Sequence, residues 1–194
     1  MSRRHALLAA PVLALLLAGC VPTPVVEEPP TAGYTPTPTP TATSTAPKPT
    51  PTLDAGTLPV GIGCDDLIDP QAMYDYNPNV SAVADFAPSP DSAAGQALVS
   101  QGVACRWVNQ SSGATIDISV VSYTEAGLAA KKAAVAAAST PAPVLGDDGY
   151  FDAAGGVGEA QKFSGSYWLT ATSTTFFGAD DVARLMETAT ESLG

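Results

Sequence analysis

From Val21 to Thr57 the chain is nearly all Pro, Thr, Ala and Ser, with Thr35-Pro36-Thr37-Pro38-Thr39-Pro40 as its clearest repeat. Such a tract has too little apolar surface to offset the entropy of ordering it, and its prolines favour extended polyproline II. Any packed core is therefore confined to residues 58–194, which read as one domain. The tract itself reads as a tether of about 37 residues that reaches up to about 110 Å when stretched. Its threonines are candidates for O-glycosylation.

Ahead of the tether, Arg3 and Arg4 precede an apolar run from Ala6 to Ala18, and Leu17-Ala18-Gly19-Cys20 closes it. A positive n-region, a short apolar stretch and small residues before a cysteine make residues 1–19 a lipoprotein signal peptide. Cys20 is then the first mature residue and carries a thioether-linked diacylglycerol, so residues 20–57 are the lipidated cysteine and spacer. The run is too short to span a bilayer. Attachment is expected through the lipid on Cys20, with the domain on the extracytoplasmic side of the cell membrane; two acyl chains suffice for stable anchoring. Ser2-Arg3-Arg4 has a twin-arginine look, but Ala6 stands where an aromatic is usual, so export by the general secretory route is expected.

Both n-region arginines and His5 leave with the signal, so six bases remain against 19 acids. That field repels phosphate backbones and anionic headgroups, which argues against nucleic acid as a partner. Cys64 and Cys105 are the cysteines of the domain, and an even pair in an exported protein is most simply a disulfide, with two free thiols or half of a metal site as the alternatives.

Hydrophobic periods change along the domain. Cys64-Asp65-Asp66-Leu67-Ile68 reads as one or two helical turns, and Asp69-Pro70 as an N-cap followed by Pro for a helix through Tyr76. A third helix is expected from Ser89–Asp91 to Gly102, with Ala94, Leu98 and Val99 inward. Val103, Cys105 and Trp107 then share one strand face, and after Asn109-Gln110-Ser111-Ser112-Gly113 so do Ile116, Ile118 and Val120. Thr124 caps an Ala-rich helix to about Ser139, with Leu128 and Val135 inward and Lys131-Lys132 outward. Strands follow at 149–153, 157–163 and 167–174, and a last helix after Gly178 carries the stripe Val182, Leu185, Met186, Ala189 and Leu193. The expected fold class is α+β, a largely antiparallel sheet of about five strands with helices packed on it.

The lipobox Cys20, the Thr/Pro spacer, Cys64-Asp65-Asp66-Leu67-Ile68, Cys105-Arg106-Trp107, Gly146-Asp147-Asp148-Gly149-Tyr150-Phe151 and a final Gly-x-x-Trp-type strand together resemble the small cysteine-pair lipoproteins of actinobacteria, a family of unknown function. The resemblance covers Cys20 and most of residues 58–194. It implies a disulfide between Cys64 and Cys105 in an α+β envelope domain, and it carries over no catalytic residue.

The mature chain has no His, no Ser-x-x-Lys and no Gly-x-Ser-x-Gly, so an activated nucleophile is missing. Asp147-Asp148 and the group Asp65, Asp66, Asp69 lack the alternating acids and closing Glu of a calcium loop; they read as a solvated turn and as helix-start acids. No metal and no cofactor are expected. The expected role is a noncatalytic binding or accessory domain for a protein or envelope component, with Tyr74, Tyr76, Tyr150 and Trp168 as aromatic anchor candidates. The alternatives are a carrier or sensor of a small apolar ligand held between sheet and helix, and a carboxylate-based enzyme acting on glycans, for which no acid pair stands out by spacing.

Overall fold

A computed structural model describes residues 53–194. Cys20, the signal and most of the spacer lie outside the described residues. The chain runs β1 (Thr57–Leu58), α1 (Cys64–Leu67), α2 (Pro70–Tyr76), β2 (Val80–Ala82), α3 (Ala93–Val99), β3 (Val103–Asn109) and β4 (Thr115–Tyr123). It continues with α4 (Glu125–Ala138), a 3-10 turn (Pro143–Leu145), β5 (Gly149–Ala154), β6 (Val157–Ser164), β7 (Tyr167–Ser173) and α5 (Asp180–Glu191). No helix among the described residues is long and apolar enough to cross a membrane.

Local chemistry explains most boundaries. Asp69 Oδ1 accepts from the Gln71 and Ala72 N–H groups at 2.8 and 3.0 Å, and Thr124 Oγ1 accepts from Gly127 N–H, so two helix starts are satisfied by their own caps. In the β3–β4 turn, Asn109 Oδ1 accepts from the Ser111 and Ser112 N–H groups, and Gly113 takes the left-handed φ of +74° that closes it. At the end of α3 the left-handed residue is Gln101 rather than Gly102. The Gly102 N–H donates back to Ala97 O at 2.8 Å in a Schellman closure. Gly102 is needed for a different reason, since a Cβ there would lie 2.1 Å from Val120 O.

The sheet is antiparallel throughout, in the order β2-β3-β4-β7-β6-β5, with β1 pairing the end of β4. This exceeds the expected five strands because β1 and β2 are too short to show a period and exist only through pairing. Helices cover both faces. On the disulfide face, Cys105, Trp107, Ile118 and Leu169 pack against Leu67 and Met73 from the α1–α2 segment and against Val182, Leu185 and Met186 of α5. On the opposite, lysine face, Val121, Tyr123, Tyr150, Phe163 and Trp168 pack with Ala97 of α3 and Val135 of α4.

Two orientations differ from expectation. Helix α3 turns Ala94, Gly95 and Ala97 inward and leaves Leu98 and Val99 exposed. It sits close to the chain, since a Cβ on Gly95 would be 2.1 Å from Ser89 O, and only a small-residue face fits at that distance. Lys131 and Lys132 of α4 fold inward instead of outward: their Nζ atoms lie 3.9 Å over the Trp168 ring and 5.5 Å over the Phe163 ring, and they pair with Asp54 and Asp148. Asp54 also accepts from Tyr123 Oη at 2.7 Å, so packing begins upstream of Leu58.

Candidate functional site

Cys64 and Cys105 form a disulfide with Cα atoms 5.6 Å apart, which pins α1 to the centre of β3. The four aromatic candidates separate into two groups. Tyr150 and Trp168, expected as exposed anchors, are only 8% and 9% exposed. Trp168 stacks on Phe163 at 6.5 Å beneath Lys131, and its Nε1–H donates to Gln161 Oε1, whose amide nitrogen donates to Ser139 Oγ. Both rings are core of the lysine face and offer no binding surface.

Tyr74 and Tyr76 stay near the surface at α2, about 200° apart around that helix, so they diverge. Tyr76 turns inward and its hydroxyl donates to Asp181 O at 3.0 Å; burial, with the Asp181 charge adding to it, raises its pKa. Tyr74 is 59% exposed. It forms one wall of a mainly apolar cleft of about 230 Å³ between α2 and the edge strand β2, with Ile68, Met73 and Val80 around it and Trp107 at its floor. Past the end of β2 a larger open trough of about 680 Å³ is bounded by Asp65, Asp66 and Asp85, with Phe86 and Ala104. The sequence placed Tyr74 here, but not the cleft, because the cleft exists only once β2 pairs with β3.

A second constellation went unnoticed in the sequence. The register aligns Arg106, Asp117, Thr172, Glu159 and Asp152 in one row across five strands of the lysine face. Arg106 pairs with both carboxylate oxygens of Asp117 at 2.6 Å beneath Phe86, whose centroid is 4.2 Å from the guanidinium carbon; that bond to Asp117 raises the arginine's pKa. Asp152 accepts from the Thr140 N–H and Oγ1–H groups. Burial, and then the charge of Asp152 directly opposite, raise the pKa of Glu159 against the opposing pull of Lys131. The signal was the parity of polar residues in each strand, and only the register joins them into a row.

Three other acids do local work. Asp66 accepts from Gly63 N–H, Asp69 caps α2, and Asp148 pairs with Lys132. Among the described residues no three His, Cys, Asp or Glu side chains are grouped to hold a metal ion. Comparison with family models, with curated proteins and with solved structures finds no match to this chain.

Proposed function

We propose that the protein is a membrane-anchored extracytoplasmic lipoprotein whose folded domain binds a protein or envelope component without chemically transforming it. The observation that carries this reading is Tyr74, an exposed aromatic at the rim of an open apolar cleft floored by Trp107. Buried aromatic anchors in such clefts dominate binding energy, while scattered charges mainly set association rates. The anchor rests on the Leu17-Ala18-Gly19-Cys20 pattern. A photo-crosslinking residue at position 74 of the lipoprotein in cells should yield a discrete adduct that one at exposed Ala129 does not. Tyr74→Ala should weaken capture by about 2 kcal/mol, on the order of thirtyfold, with an unchanged melting temperature. Cys20→Ser should abolish metabolic labelling by a fatty-acid analogue; equal label on both proteins would refute the anchor.

A second reading has one specific observation behind it: Glu159 stands opposite Asp152 with its pKa raised, as a proton donor requires. Hydrolysis of cell-wall glycan by the purified protein, lost in Glu159→Gln, would replace the binding reading with an enzymatic one.

A further inference from the structure

The binding reading above leaves the partner's chemistry open, and the inference here rests on that reading and supplies it. The sheet has two edges, and they are treated differently. Along β5, Phe151 N–H donates to Thr140 O at 2.9 Å and Ala142 N–H to Gly149 O at 2.8 Å, with Pro141 opposite Tyr150. A strap of three residues thus covers the first half of that edge, Gly149 to Phe151, and its proline has no N–H to pass onward.

Among the described residues strand β2 has no such strap. Gln110 N–H donates to Asn79 O and Val83 N–H donates to Arg106 O, both at 2.8 Å, so the ladder to β3 runs through alternate residues. The same alternation turns the N–H and C=O of Ala82 and the C=O of Val80 away from the sheet, and Ser81, Ala82 and Ala84 are exposed. The apolar cleft with Tyr74 and Trp107 opens beside this edge, and the trough bounded by Asp65, Asp66 and Asp85 lies at its end. Asp69 and Asp75 of the same corner are exposed too, and none of these five acids takes part in the ion pairs of the described residues. The base on the adjoining strand, Arg106, is already committed to Asp117.

We infer that the β2 edge receives an extended, basic segment of a partner protein, which adds to the sheet as a further strand, seats an apolar side chain in the Tyr74–Trp107 cleft and sets Lys or Arg side chains against Asp65, Asp66 and Asp85. Strand addition supplies main-chain hydrogen bonds, and the period of two sends alternate side chains to one face, which suits an apolar and cationic alternation. A second copy of this chain is the poorer occupant, because two such edges would bring the same acids together.

The test uses the full chain in detergent micelles and a fluorescent nonapeptide alternating Lys and Val, read by anisotropy at two salt concentrations. The basic peptide should bind, and its affinity should fall with salt. Methylating the nitrogens of alternate residues, which removes N–H groups but no charge, should weaken binding at least tenfold against the unaltered protein. The alternating Glu and Val peptide should not bind. Asp65→Asn/Asp66→Asn/Asp85→Asn should weaken the basic peptide at least tenfold, and the amide of Ala82 should gain exchange protection when the peptide is bound. Failure of the basic peptide to bind, or equal binding of the methylated or acidic peptide, would overturn the inference. So would concentration-dependent self-association that protects Ala82 without peptide. If the peptide fails while crosslinking at position 74 still captures a partner, the binding reading stands and the basic strand falls. The methylated peptide keeps the test decisive even if the triple variant does not fold.

Discussion

Removing the disulfide tests the architecture of the corner formed by α1, α2 and β2 directly. The bond closes a loop with a sequence separation of 41, and that loop contains α1, α2, β2 and α3. The chain-entropy model assigns a cross-link of that span about 4 kcal/mol through its restriction of the unfolded chain. For a domain of this size that corresponds to a fall of roughly 10–20 °C in melting temperature. Thermal unfolding of the full chain followed by circular dichroism, for wild type with and without reductant and for Cys64→Ala/Cys105→Ala, should give the same large fall twice. A shift below about 3 °C in both would show that the loop is already ordered in the unfolded ensemble and would refute the entropic argument. Trp107 supplies a local probe, since it lies two residues from Cys105 on the same buried face. Its emission should change on reduction; solvent-like emission in both states would contradict its place at the cleft floor.

Three further outcomes are expected. Because the folded state raises the pKa of Glu159, its protonated form is the one the fold favours: this contribution to stability is fully present below the unfolded value near 4.5 and is lost as pH rises through the higher folded value. Glu159→Gln should therefore raise the melting temperature at pH 7 and converge with wild type at pH 4, and an unchanged melting temperature at pH 7 would count against the row described above. Gln161→Leu leaves the buried Trp168 N–H and the Ser139 hydroxyl without their partner, so the denaturation midpoint should drop by the equivalent of about 1–3 kcal/mol at unchanged m-value. In Gly158→Ala the new Cβ would stand 2.2 Å from Phe176 O and 2.9 Å from the Phe151 ring, and urea titration should show a loss of about 1–3 kcal/mol or more.

What could be read from residues alone followed the range of the forces involved. Asp69, Pro70 and Thr124 act within one helical turn, and the stripe Val182, Leu185, Met186 and Ala189 declares its buried side by spacing, so α2, α4 and α5 were legible. The same holds for β3 and β4, where Val103, Cys105 and Trp107, and Ile116, Ile118 and Val120, recur at every second position. Helix α3 misled because size and burial run against each other there: close approach to Ser89 and Val120 excludes the larger side chains, so Leu98 and Val99 are displaced outward. Lys131 and Lys132 misled because a long aliphatic stem lets a charge reach back over an aromatic ring. Of the site, Tyr74 was legible as an aromatic on a short helix. The cleft, the free edge and the row from Arg106 to Asp152 depend on long-range register that no local pattern encodes.

The strap from Thr140 to Ala142 over β5 has a consequence for stoichiometry. A sheet open at both edges is bivalent: each added strand presents a fresh edge, and growth can continue without limit, as in cross-β fibres. With the Thr140–Ala142 strap set against the start of β5, copies of this sheet that pair edge to edge through β2 use up their open edge and stop at two. Crowding copies together raises the frequency of encounters without giving them a second edge through which to polymerise.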